Sequence, residues 1–214
     1  MDLLKAMRLY LIPDRKIGAP RTLIEQTAAC LAGGATAIQL RDKEMEGREL
    51  LHTAQKMAEL CRAEGALFFV NDRLDIALLS GAHGLHIGQS DIPLAEARRL
   101  APPGFLIGVS AQTEEQARAA LEGGADYLGI GPAAPTTTKE TEMLGCAGIS
   151  RVATATPLPC VAIGGITLDN LSAVMRSGVS GISLISAVIG KADIEAETRK
   201  FAEDLGLQKN LQQA

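Results

Sequence analysis

GGATAIQL (33–40), SGAHGLHI (80–87), GGADYLGI (123–130) and SGVSGISL (177–184) are four versions of one eight-residue phrase. Their central glycines, Gly34, Gly81, Gly124 and Gly178, lie 47, 43 and 54 residues apart. That spacing is too long for one strand–helix unit and suits two, so the phrase marks alternate units of a repeating chain. Its physics is direct: a helix ends, a glycine takes the left-handed cap, and a short apolar strand begins at once. Within the strand, apolar residues flank one small or polar position, namely Gln39, His86, Gly129 and Ser183. Side chains alternate with period two, so these four belong to one face. In a closed barrel that face points inward, near the mouth.

Between the copies lie four further apolar runs, Leu9–Ile12, Leu67–Val70, Leu106–Val109 and Cys160–Ile163. Helix-patterned stretches separate all eight. In the first, Leu23, Ile24, Ala28 and Leu31 form an apolar stripe. Thr113 with Gln116 reads as a capping box, and Thr167 as a second N-cap. Strands alternating with helices demand a parallel sheet, and eight units favour closure. The expected fold is a single-domain (β/α)8 TIM barrel over residues 1–214, with a frayed tail after about residue 207. An open doubly wound sheet is the alternative.

A chain of 214 residues reaches this architecture as one unit. Its 21 basic and 25 acidic residues leave a net charge of −4, which argues against nucleic acid as a partner. Aromatic residues make up 3% with no Trp, so base-stacking platforms are not expected. The apolar start is too short and too interrupted by Lys5 and Arg8 for a signal peptide, and no run approaches a membrane span. Cys30, Cys61, Cys146 and Cys160 lack metal or CxxC spacing and read as reduced, buried thiols. Together these features point to a cytoplasmic protein. Whether it forms a homo-oligomer is left open.

The residues that follow each strand carry the chemistry. They include Gln39, Arg41 and Lys43; Asn71 and Asp72; Asp91; Ser110; a Pro- and Thr-rich loop ending at Lys139; Gly164-Gly165; and Ile185-Ser186. Barrel enzymes place their sites at those carboxyl ends. Asp72 and Asp91 follow adjacent strands and could converge on Mg²⁺, which one or two carboxylates hold together with water and ligand phosphates. The plain alternative is two exposed loop aspartates. Asp75 lies too far into the next helix to share that role. Arg41 and Lys43 alternate with Gln39 and, in an extended segment, would turn one way to grip a diphosphate; a solvated loop would look the same. The Gly164-Gly165 turn and the Ile185-Ser186 segment resemble the phosphate cradle of many barrels, although glycine can serve a tight turn alone. His86 faces inward, as acid, base or satisfied core residue. His52 and His83 read as surface positions.

These motifs closely resemble the thiamine phosphate synthase family: QLRDK (39–43), NDR (71–73), HIGQSD (86–91), GVSAQT (108–113), DYLGIGPAAPTTTK (126–139), AIGGIT (162–167) and ISLISAV (182–188). They occur in order over strands two to eight, with LYLIPDR (9–15) similar to the family's opening strand. The resemblance implies a transferase of thiamine biosynthesis. Such an enzyme joins an aminopyrimidine methyl diphosphate to a thiazole phosphate, giving thiamine monophosphate and pyrophosphate. It further implies that Gln39, Arg41, Lys43, Asn71, Ser110 and Lys139 surround the pyrimidine diphosphate. Asp72 and Asp91 would then hold Mg²⁺, while Thr136, Thr138, Gly165, Ile185 and Ser186 bind the thiazole phosphate or line its approach. Arg41, Lys43, Ser110 and Lys139 are the expected catalytic groups.

Three other readings compete. The thiazole tautomerases share the barrel, but the segment that carries a histidine in that group reads Ser110-Ala111-Gln112 here, and glutamine is no general base. A non-catalytic phosphate-ligand regulator would be expected to lose a metal aspartate or Lys139, and both are present. A sugar-phosphate isomerase needs a base and electrophile pair that the sequence does not offer. Ala133, Ala134, His83 and Cys146 depart from the family pattern.

Overall fold

Eight short parallel strands pair in chain order, and the first closes on the eighth. The computed structural model describes residues 3–135 and 143–207. In chain order the elements are α1 (Leu3–Ala6), β1 (Leu9–Leu11), α2 (Leu23–Ala32), β2 (Ala37–Leu40), α3 (Gly47–Ala63), β3 (Leu67–Asn71), α4 (Leu74–Ser80) and β4 (Gly84–Ile87). They continue as α5 (Leu94–Leu100), β5 (Leu106–Ala111), α6 (Glu114–Glu122), β6 (Tyr127–Ile130) and α7 (Gly145–Thr154). The chain then forms β7 (Cys160–Ile163), α8 (Leu168–Met175), β8 (Gly181–Leu184), α9 (Ser186–Ile189) and α10 (Ile194–Asp204). Closure is explicit in the register of β1 on β8, where Leu9, Tyr10 and Leu11 stand opposite Ile182, Ser183 and Leu184. This is the (β/α)8 barrel expected from the repeated phrase, and the open sheet is excluded. The tail positions 208–214 lie outside the described residues.

The four phrase glycines behave as the sequence requires. Gly34, Gly81, Gly124 and Gly178 have φ of 101°, 74°, 83° and 87°, where a side chain would be strained. Each turns the chain from a helix end into the next strand. β3 and β5 run further than expected, so Asn71 and Ser110 are strand residues rather than loop residues.

Alternation along the strands divides the core in two. Ile38, Leu40, Phe68, Val70, Leu85, Ile87, Ile107 and Leu128 point outward and pack under the helices. Met7, Tyr10, Ile12, Ala37, Leu67, Phe69, Tyr127 and Val161 fill the interior. Leu3 and Ala6 of α1, a helix the sequence did not announce, pack against this interior cluster. Both tyrosines of the chain lie inside the barrel. Phe69 stacks on Tyr10 at 5.4 Å and meets Tyr127 edge-on at 5.2 Å, geometries that aromatic pairs favour. Gly108 makes room for Tyr127, because an added Cβ would sit 2.5 Å from the tyrosine hydroxyl and inside contact of its ring.

Local expectations need four corrections. The buried stripe of α2 is Leu23, Gln26, Thr27, Cys30 and Leu31, while Ala28 is exposed and Ile24 half-buried. Two polar residues can occupy that stripe because their groups are satisfied. Gln26 Oε1 accepts from the Asp14 N–H (3.0 Å), its Nε2 donates to Arg21 O (2.8 Å), and Thr27 donates to Leu23 O (2.7 Å). Thr113 does cap α6 by accepting from Gln116 N–H (3.2 Å), but Gln116 Oε1 returns to Gln112 N–H (2.7 Å), one residue short of a capping box. His83 is half-buried rather than on the surface, and its Nδ1 accepts from Phe68 N–H (3.0 Å). Burial, then Arg62, hold its pKa below the usual histidine value. Cys146 is half-exposed, unlike the other three cysteines, which are buried.

Gly108→Ala should force Tyr127 out of its place and cost about 3 kcal/mol, the upper range for overpacking. For a chain of this size that is a fall in Tm of roughly 6–12 °C, readable by thermal denaturation; an unchanged Tm would contradict the packing described.

Candidate active site

All eight strands are parallel, so the residues at their carboxyl ends share one rim of the barrel. Arg41 follows the last residue of β2 and is half-buried. Asp42 turns the other way: its carboxylate accepts from Glu44 and Met45 N–H groups and pairs with Arg15 at 3.0 Å. That turn leaves Lys43 facing β3, where its Nζ lies 3.2 Å from Asp72 Oδ2. Asp75 forms a bidentate pair with Arg73, at 2.9 and 2.6 Å, and takes no part.

Asp72 stands just past β3 with φ of 60°, alone in that region among the described non-glycine residues. Such a conformation is uncommon for a side-chain-bearing residue and persists where its surroundings over-determine it. Its N–H donates to His86 O across to β4 (2.9 Å). Asp91, after β4, is held by Gly88 N–H donating to its Oδ2 (2.7 Å). Burial, and then the adjoining Asp91 carboxylate, push Asp72 above the usual aspartate value, against Lys43 pulling it down. Two neighbouring carboxylates beside one lysine have the chemistry of a site for a hard divalent cation that also takes ligand oxygens. No cluster of three or more metal-type side chains occurs among the described residues, so substrate and water would complete any Mg²⁺ shell.

Gln39 and Ser110 meet through the barrel interior. Gln39 Nε2 donates to Tyr10 OH (2.8 Å), Tyr10 OH pairs with Tyr127 OH (3.1 Å), and Tyr127 OH pairs with His86 Nδ1 (3.0 Å). His86 Nε2 then pairs with Ser110 Oγ (3.0 Å). Burial drives the Tyr10 and Tyr127 pKa values well above the usual phenol range, so both carry their protons. Sequence reasoning placed Gln39 and His86 correctly and missed the two tyrosines. The signal existed, since Tyr127 is in phase with Gly129 along β6 and both face inward. Asn71 ends β3 with its Cα opposite that of His86.

On the other side of the rim, Gly164 and Gly165 have φ of 93° and 65°. An added Cβ on Gly165 would lie 2.6 Å from both Ala134 O and Pro135 O. The glycine pair thus serves backbone conformation and the close approach of the loop after β6. Ala133, small and buried, donates its N–H to Ile163 O (2.9 Å) and Gly164 O (3.1 Å). Ile185 and Ser186 open α9 just past β8, and Ile185 packs on the interior cluster. Thr136, Thr138 and Lys139 lie outside the described residues. Clefts of about 310 and 530 Å³ open elsewhere, one beside Lys5, Thr36 and Glu64 and the other beside Arg8, Leu168 and Asp204, and neither includes a rim residue named above.

Fold and rim define the class: a (β/α)8-barrel enzyme with its candidate site at the strand carboxyl ends. The sequence profile described as thiamine monophosphate synthase matches residues 9–188. A thiamine-phosphate synthase of Coprothermobacter proteolyticus is 46% identical over 203 residues, covering 94% of this chain and 96% of that one. One from Moorella thermoacetica is 47% identical over 197 residues, 91% of this chain and 94% of its own length. The solved thiamine phosphate pyrophosphorylase of Pyrococcus furiosus superposes with a TM-score of 0.87 at 39% identity, covering 95% and 99% of the two chains. The chain belongs to the thiamine monophosphate synthase family.

Replacing Asp91 by Asn keeps an acceptor for Gly88 N–H and removes the like charge beside Asp72. In metal-free buffer near pH 7 the variant should melt at or slightly above the wild type, by up to about 4 °C. Added Mg²⁺ should raise the wild-type Tm but hardly move the variant's. The wild-type response should shrink as pH falls through the raised Asp72 pKa, because the protonated carboxyl must lose its proton to bind metal. A variant that melts far below the wild type without metal would contradict the repulsion.

Proposed function

We propose that this chain couples an aminopyrimidine methyl diphosphate to a thiazole phosphate, forming thiamine monophosphate and releasing pyrophosphate, by a dissociative substitution. The observation that carries the site reading is the Lys43–Asp72–Asp91 cluster on a barrel rim, in a chain of this family. Asp72 and Asp91 would hold Mg²⁺, which when bound neutralises diphosphate charge and favours departure of pyrophosphate. Arg41, Lys43 and Lys139 stabilise negative charge as it develops on the leaving group, an electrostatic role. Asn71, Gln39 and Ser110 hold the pyrimidine side of the substrate.

The carbon–oxygen bond breaks with its electron pair leaving on pyrophosphate, and the aminopyrimidine ring stabilises the resulting methylene cation. The thiazole nitrogen lone pair then forms the new carbon–nitrogen bond. No protein nucleophile is needed. Thr136, Thr138, Gly165, Ile185 and Ser186 bind the thiazole phosphate, and holding both fragments in line supplies much of the rate. The partners are therefore phosphorylated small molecules, with neither nucleic acid nor membrane. No helix among the described residues is long and apolar enough to cross a membrane, and a cytoplasmic location fits this reading.

Purified protein mixed with both substrates and Mg²⁺ should yield thiamine phosphate and pyrophosphate, detectable by chromatography. Asp91→Ala and Lys139→Ala should each lower kcat about a hundredfold or more, the scale for loss of a key electrostatic group. Turnover near the wild-type rate in either would overturn the assigned roles.

A further inference from the structure

The interior chain Gln39–Tyr10–Tyr127–His86–Ser110 draws on five different strands and ends, on both sides, at residues assigned to the substrate. Its two central tyrosines are buried. Counting protons shows why the arrangement matters. Each hydroxyl has one proton to give, and a neutral imidazole has one donor and one acceptor nitrogen.

With Gln39 Nε2 donating to Tyr10, the Tyr10 proton goes to Tyr127 and the Tyr127 proton to His86 Nδ1. His86 must then donate from Nε2 to Ser110. The proton of Ser110 is thereby directed away from the chain, and Gln39 Oε1 is left as an acceptor. Reversing the chain makes Ser110 donate to His86 and turns the Gln39 amide so that its NH₂ group is the free end. With a neutral imidazole the two polarities couple the orientation of the Gln39 amide to the direction of the Ser110 proton, while the second Gln39 N–H and the second Ser110 lone pair stay outside the chain. A mismatch of the two would leave a buried hydroxyl or ring nitrogen unpaired, which is costly inside a protein.

We propose that this chain is a positioning relay that fixes the hydrogen-bonding roles of Gln39 and Ser110 and makes each depend on the other. The paired roles suit the edge of an aminopyrimidine, where an amine donor stands beside a ring-nitrogen acceptor. The buried Tyr10 and Tyr127 are positioning residues that act through Gln39 and Ser110 without touching substrate. The inference rests on the assignment of Gln39 and Ser110 to the pyrimidine. Gly108 is part of the device, because its lack of a side chain lets the Tyr127 hydroxyl reach the chain.

Tyr127→Phe keeps the ring and cuts the chain at its middle; Tyr10→Phe cuts it one link away and serves if the first variant does not fold. Steady-state kinetics with purified full-length protein should show kcat/KM for the pyrimidine diphosphate falling about tenfold, the scale of a lost hydrogen bond. KM for the thiazole phosphate should stay within about twofold on the same grounds. The Tyr10→Phe/Tyr127→Phe double variant should lose no more than the worse single variant, and Tyr127→Phe should add nothing in a Gln39→Ala/Ser110→Ala background. Additive losses, or losses that follow Tm while both KM values rise together, overturn the relay. If Gln39→Ala and Ser110→Ala themselves leave kcat/KM intact, the substrate assignment fails and the relay with it. If those two lose activity while both phenylalanine variants retain it, the relay alone is wrong.

Discussion

Alternation of side chains along eight strands that close on themselves is the constraint from which the rest follows. Closure gives every strand an inside, and period two decides which residues occupy it. Outward positions are apolar and pack under the helices. Inward positions must fill a narrow tube, and here they do so with large rings set beside glycines, Tyr127 against Gly108 above all. The buried hydroxyls of Tyr10 and Tyr127 cannot reach bulk water, and they bond to each other, to Gln39 and to His86. The interior chain of hydrogen bonds is thus a consequence of closure as much as a feature of the site.

Parallel strands add a second consequence. Every strand delivers its final residues to the same rim, so groups far apart in sequence become neighbours. Lys43 reaches Asp72 in this way, and Asp72 adjoins Asp91. The cost appears locally: a non-glycine residue at φ of 60° and two adjoining carboxylates, one of them partly buried. Strained and electrostatically costly residues of this kind cluster at ligand sites in proteins generally. Three of the four buried or half-buried cysteines, by contrast, do no more than pack, with burial pushing the Cys30, Cys61 and Cys160 thiols up to about 12.

The fold was legible because the phrase around Gly34, Gly81, Gly124 and Gly178 states a helix stop and a strand start in the same few residues. The carboxylates were legible because strand order puts residues 72 and 91 next to each other. Gln26 and Thr27 were not, since their burial depends on hydrogen bonds with the backbone of Asp14, Arg21 and Leu23 that no periodicity announces. The roles of Tyr10 and Tyr127 were hidden for a related reason. Each reads as an apolar strand residue, and only the assembled interior brings their hydroxyls together. His83 was misread because a half-buried imidazole accepting one backbone N–H looks, in sequence, like any turn residue.

The central claim is that Asp72 and Asp91 hold one cation together with the departing pyrophosphate, within reach of Arg41 and Lys43. A crystal structure of the protein with Mg²⁺ and pyrophosphate tests this most directly. The account would require Asp72 and Asp91 to hold the metal beside the pyrophosphate, with Lys43 turned from Asp72 toward the phosphates. Pyrophosphate bound at another face of the barrel, or seated on this rim with neither aspartate on the metal, would contradict it.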